Sequence, residues 1–225
     1  MMKIRLGMLA LCASFATAVQ AEGLGVYING GTTGFGLGLA TGTDTLTGRL
    51  SFDTWKRTFT QNDSNGSYTG DLKLQNLSAL VDWYPFAGTF RTTFGLVANG
   101  NKATLKANAV SGTYTFDGTP YDVNDVGSFS AEMKFNSTAP YLGVGWGNPV
   151  AKDKTWGFVM DLGVMFQGAP KVTATATCSA SYATNFPADC AQMQSDVAAG
   201  ATQLEEDLKD YKYYPVVSVG LSYRF

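Results

Sequence analysis

Apolar and polar residues alternate one by one at the end of this chain. In residues 215–225, Val217, Val219, Leu221, Tyr223 and Phe225 form one set, and Ser218, Gly220, Ser222 and Arg224 fall between them. A period of two marks a strand with one apolar face, because successive side chains leave a pleated chain on opposite sides. Residues 156–167 repeat the pattern, with Trp156, Phe158, Met160, Leu162, Val164 and Phe166 set against Gly157, Val159, Asp161, Gly163, Met165 and Gln167. A soluble sandwich rarely places that much apolar bulk on one face of one strand.

The stretch PYLGVGWG sets Leu142, Val144 and Trp146 against glycines. Upstream, Phe129, Ala131, Met133 and Phe135 form an apolar set of the opposite parity, and this slip near Pro140 predicts a β-bulge. FRTTFGLVA, LSALVDWY and GRLSFDTW supply three more strands. Residues 23–40 must supply two for an even count, with Asn29-Gly30-Gly31 as the turn between strands at 24–28 and 33–40. One long strand is the other reading of that segment.

Connections alternate in length. Those at 41–45, 86–88 and 148–154 are short, and those at 60–69, 106–128 and 171–212 are long and polar. Short turns on one side and long loops on the other suit periplasmic and extracellular ends of a membrane barrel. Trp83, Trp146 and Trp156 fall at strand ends beside the short turns, where an interfacial aromatic girdle is expected.

Composition sharpens the class. Charged residues are 15% of the chain, against about 25% in ordinary soluble domains. Residues 1–21 carry Lys3 and Arg5, then an apolar run, then small residues at Val19 and Ala21, the pattern of a secretory signal peptide. The domain plan is therefore a signal peptide over 1–21 and a barrel domain over 22–225. Without Lys3 and Arg5 the remainder holds 14 basic and 18 acidic residues, which gives no basic patch for nucleic acid. No later apolar run reaches the roughly 20 residues of a spanning helix. The expected fold is all-β, an eight-stranded antiparallel transmembrane up-and-down β-barrel with a short helix in the last long extracellular loop.

Strand parity turns Arg49, Asp53, Asp82, Arg91, Asp161 and Arg224 inward, three cations and three anions. An eight-stranded interior is just wide enough for side chains to fill, so a plug of ion pairs and a polar pore lining are the two readings. Cys178 and Cys190 are the two cysteines beyond the signal segment, and export to an oxidising compartment predicts a disulfide between them. After it, Met193, Val197, Leu204, Leu208 and Tyr211 recur at near-helical spacing. The chain has no histidine, which removes the usual base of a serine nucleophile and thins the options for metal. No catalytic residue, no cofactor and no metal site are expected. The glycines of GGTTGFGLG lack the spacing of a phosphate loop.

The closing VVSVGLSYRF resembles the C-terminal signature of outer-membrane proteins, which implies that Val219, Leu221, Tyr223 and Phe225 serve as a barrel-assembly signal. LVDWYPFAGTFRTTFGLVANGNK and PYLGVGWG resemble segments of the small outer-membrane β-barrel superfamily that includes OmpA-like and OmpW-like proteins. The resemblance implies a monomer in the outer membrane of a Gram-negative bacterium, in contact with outer-membrane lipid and lipopolysaccharide, and with the barrel-assembly machinery during biogenesis. The chain departs from OmpA-like proteins in ending at Phe225, so no periplasmic domain is expected. The expected role is non-enzymatic, an envelope or surface interaction through the long extracellular loops. The alternative is a narrow OmpW-like channel for small or hydrophobic solutes.

Overall fold

The structure is a computed structural model that describes residues 23–63, 66–109 and 111–225. The signal segment lies outside the described residues. Thirteen strands are seen among the described residues: β1 (Gly23–Gly31), β2 (Gly34–Gly42), β3 (Leu46–Asp63), β4 (Gly66–Trp83), β5 (Phe90–Asn99), β6 (Lys102–Ala109), β7 (Thr113–Phe116), β8 (Thr119–Asp122), β9 (Val126–Lys134), β10 (Thr138–Trp146), β11 (Trp156–Phe166), β12 (Lys171–Cys178) and β13 (Tyr213–Arg224). Two helices, α1 (Ala180–Asn185) and α2 (Pro187–Leu208), stand between β12 and β13.

Eight strands close an antiparallel barrel in the order β1-β2-β3-β4-β5-β10-β11-β13, and β13 pairs back onto β1. Closure pairs every strand on both sides, which a sheet in hydrocarbon requires. The two-residue turn after β1 is Thr32-Thr33, with Gly31 opposite Gly34. The expected turn at Asn29-Gly30-Gly31 is thus two residues early. Asn29 stays in the strand, where its amide donates to Asp53 Oδ1 at 2.7 Å, and Gly34 takes the positive φ of 106° at the end of the turn.

The outer face of the barrel carries an apolar belt. Leu24, Ile28, Leu37, Leu50, Phe52, Leu77, Phe94, Leu96, Leu142, Phe158, Val219 and Leu221 each expose 44–62% of their surface. Water-facing monomers do not leave so large a contiguous patch open, and lipid is the medium that tolerates it.

Beyond the belt the barrel continues on one side as a wall. The upper half of β3 and β4 pairs on to β6, β9 and β12 in the order β12-β9-β6-β4-β3. β5 and β6 run along the same edge of β4 as one strand, interrupted at Gly100-Asn101. Asn101 holds that break: its Oδ1 accepts from the Gln75 amide at 3.1 Å and from Asn76 Nδ2 at 3.0 Å. β9 and β10 likewise run on as one strand, broken at 135–137.

No bulge lies at Pro140. The register of β10 with β5 is uninterrupted, from Thr138 opposite Ala98 to Trp146 opposite Phe90. The parity slip has another cause. In the barrel the outside meets lipid and the inside is polar, so Leu142 and Trp146 are the exposed apolar side chains. In the wall the outside is polar and the inside packs on the loop-end core, so Phe129 turns inward with Ala176. The same backbone parity serves both, and the environment around it inverts.

That loop-end core joins Phe116, Tyr121, Val126, Ala176, Met193 and Val197, from the β7–β8 hairpin, the wall and α2. α2 starts with Pro187 at its first turn, and Asp189 complements the positive end of its dipole. The helix buries Met193, Asp196, Val197 and Ala201 at i, i+3, i+4 and i+8, a continuous stripe. Leu204 is half exposed, and Tyr211 lies past the helix and is exposed. The polar segments 106–128 and 171–212 are therefore largely strand and helix rather than open loop.

Candidate functional site: the charge network across the lumen

Four strands each supply one charged side chain to the barrel interior: Arg49 from β3, Asp82 from β4, Arg91 from β5 and Asp161 from β11. All four are buried. Arg49 Nε meets Asp82 Oδ2 at 2.6 Å, and its Nη2 meets Asp161 Oδ1 at 2.8 Å. Its Nη1 donates to Asp161 Oδ2 at 3.1 Å, so the Asp161 contact is bidentate. Arg91 Nη2 donates to Asp161 Oδ1 at 2.8 Å, and its Nε lies 3.4 Å from Asp82 Oδ1. Each cation therefore touches both anions. Two positive and two negative groups cancel, the condition under which buried charges are tolerable.

Neutral groups complete the network. Thr93 donates to Asp82 Oδ1 at 2.7 Å, and Ser218 to Asp161 Oδ2 at 3.5 Å. Arg91 also donates to the carbonyls of Gly147 and, at 3.3 Å, Met160. Tyr27 places its ring 5.6 Å from the Arg49 guanidinium. Strand parity could have found Tyr27, Thr93 and Ser218, since all share the inward face with the charged residues. The backbone acceptors carry no sequence signal.

Glycines make the room. The inward positions of β2 include Gly36 and Gly38, and a Cβ on Gly38 would stand 2.2 Å from Cζ of Tyr27. Gly143 and Gly163 leave equivalent space for the hydroxyl of Tyr141.

The other two inward charges stand apart from the network. Asp53 accepts from Asn29 at 2.7 Å and Ser51 at 3.2 Å, one layer nearer the long loops. Arg224 sits at the short-turn end, where its Nη1 donates to the Ala151 carbonyl at 3.4 Å. Above the network Val97, Ala139, Tyr141, Met165 and Val216 pack as a buried apolar layer. Between the two layers a cavity of about 40 Å³ remains, bordered by Asn29, Arg49, Asp53 and Asp161. That is room for a few waters and for no larger solute.

Trp83 and Trp156 are exposed at the short-turn end, and Trp146 stacks edge-on against Phe90 there with ring centroids 5.8 Å apart. Tyr84 turns the other way, is buried, and donates to the Gly147 carbonyl at 3.4 Å. Val219 and Leu221 face outward on β13 and Phe225 is exposed just past its end, with Tyr223 edge-on between Trp156 and Phe225.

At the loop end Cys178 and Cys190 form a disulfide that ties the end of β12 to the first turn of α2. Tyr121 donates to Asp196 Oδ2 at 2.6 Å, and Gln192 Nε2 donates to its Oδ1 at 2.7 Å. These donors, Tyr121 first, hold the Asp196 carboxyl below the usual carboxylate range. Burial, with Asp196 beside it, pushes the Tyr121 hydroxyl up to about 12.

No protein-family model matches the sequence, and no curated protein sequence is similar to it. Solved structures are similar in fold. Acinetobacter baumannii CarO matches at a TM-score of 0.54 with 21% identity, over 89% of this chain and 97% of that one. Acinetobacter baumannii CarO2 matches at 0.56 with 20% identity, over 92% of this chain and 100% of that one. By fold, this chain is a small, closed, eight-stranded antiparallel β-barrel like those two structures.

Proposed function

We propose that this chain is a non-enzymatic outer-membrane barrel that conducts no solute and acts through the wall and helix at its loop end. The observation that carries the reading is the filled lumen. Four buried, mutually neutralising charges cross it, and an apolar layer lies above them. A pore lining would leave such charges wet, whereas here Arg91 and Asp82 have no exposed side-chain surface. The lack of any histidine supports a non-enzymatic role, and the carboxylates that accept from the lumen hydroxyls of Ser51 and Ser218 are already engaged by Asn29, Arg49 and Arg91. The structured loop end, pinned by the Cys178–Cys190 disulfide, supports a surface-interaction role.

The test is single-channel recording of the refolded, disulfide-intact protein in a planar bilayer, with Arg91→Ala beside it. Silence from the folded wild-type protein is expected. Steady openings that change in the variant would refute the reading and support a narrow channel.

A further inference from the structure

The polar outer face of the wall carries an unusual row of charge. Lys56 pairs with Lys73, Lys73 with Lys102, Lys102 with Lys134, and Lys134 with Lys171. Five lysines from five adjacent strands thus lie side by side. Directly paired residues of an antiparallel sheet share a face, and neighbouring strands stand about 4.8 Å apart. Like charges in direct cross-strand register are destabilising. Five in succession demand counter-charge.

The protein supplies only part of it. In the next row Glu132 meets Lys102 at 3.2 Å and also contacts Lys134, and Asp71 lies 3.8 Å from Lys56. A third row adds Lys106, opposite Thr69 and Ser130. Among the described residues, that face carries six lysines and two carboxylates, on a chain with a net charge of −2. Lysine is also used to blunt sheet edges. Edge protection accounts for Lys56 on β3 and Lys171 on β12, but not for Lys73, Lys102 and Lys134 on the three strands between them.

Position identifies the missing anion. Lys56 and Lys73 lie on the same outward face as the lipid belt. The Phe52–Leu77 pair is the last apolar row, Thr54–Gln75 follows, and Lys56–Lys73 comes next. Four residues of strand rise place the lysines about 13 Å along the strand from Phe52, and less above it once barrel tilt is counted. That is the depth of lipid headgroups at the edge of the hydrocarbon.

We propose that Lys56, Lys73, Lys102, Lys134 and Lys171 form a docking strip for the phosphate groups of phosphorylated glycolipid in the outer leaflet. The strip shares its face with the lipid belt, one polar row away, so a headgroup engages it while its acyl chains lie against Phe52 and Leu77. The interaction is independent of the lumen.

The test is native mass spectrometry of the full chain in detergent, titrated with bisphosphorylated lipid A. The variant Lys73→Gln/Lys102→Gln/Lys134→Gln should bind at least about tenfold more weakly, and rising salt should weaken the wild-type protein. The matched Lys→Arg triple variant should retain binding, and heat-modifiable gel mobility reports folding of each. If the Gln triple variant fails to fold, Lys102→Gln alone is measured, with a loss of about threefold expected. Wild-type-like binding by the folded Gln variant would overturn the proposal. Equal binding of dephosphorylated lipid A would do so as well. Displacement of the lipid by equimolar inorganic phosphate would assign the strip to a soluble anion and overturn the choice of lipid.

Discussion

Replacing Asp161 by Asn should destabilise the barrel by about 3–5 kcal/mol, the range for breaking a buried ion pair from one side. The carboxylate is shared by Arg49, through two hydrogen bonds, and Arg91, through one. Amide replacement leaves two guanidiniums facing a single remaining anion, Asp82. With charge centres about 4 Å apart, each lost attraction amounts to about 4 kcal/mol in a protein-like medium and about 1 kcal/mol in water. Relief of the carboxylate's own desolvation offsets part of the larger figure. The burial of the network selects the protein-like value, since the Arg91 and Asp82 side chains are fully buried and Asp161 is only 11% exposed. Urea unfolding in lipid vesicles, followed by fluorescence of the four tryptophans, measures the change. The double change Arg91→Met/Asp161→Leu keeps the neutral Arg49–Asp82 pair and should cost less than Asp161→Asn alone. A loss below about 1 kcal/mol for Asp161→Asn would mean that the charges are hydrated, and the closed-lumen reasoning would fail.

Two other outcomes follow from the same geometry. Gly38→Ala forces a Cβ to within 2.2 Å of the Tyr27 ring, so unfolding should show a loss of about 1–3 kcal/mol, while Gly70→Ala, which meets nothing within 4 Å, should show far less. Docking of α2 should weaken in acid: the Asp196 carboxyl is held below its ordinary range, so its contribution is complete above that range and disappears as pH falls through the lowered value. Hydrogen exchange at residues 187–208 should therefore be slow at neutral pH and faster below the carboxylate range, and Asp196→Asn should be less sensitive to pH.

How much of this was legible in the chain depends on the element. Alternation on β11 and β13 assigned outward and inward faces correctly, because the two-residue period is built into the strand backbone. The same rule turned Arg49, Asp82, Arg91 and Asp161 inward, but their meeting in one layer depends on the stagger of four strands. At residues 129–146 the alternation was real and its interpretation as a bulge was not. An apolar face identifies what a strand side touches, and that partner changes from α2 and the loop-end core to lipid along a single strand.

The segments KATLKANA and KVTATATC show the opposite limit. Both are short, polar and rich in small residues, and neither signals a strand by itself, yet they form β6 and β12. Their backbone groups are satisfied by neighbours far away in the chain, and pairing overrides weak intrinsic preference. The lysine row is hidden for the same reason. Nothing along the chain links positions 56, 73, 102, 134 and 171 until register sets them side by side. By itself the sequence determined the class of fold, the lipid-facing side of the barrel strands from residue 46 onward, and the disulfide, because covalent geometry, composition and a single cysteine pair suffice for these. Tertiary structure alone decided that four charges meet in one layer across the lumen and that the outer wall carries a row of lysines, because both depend on which strands lie adjacent and in what register.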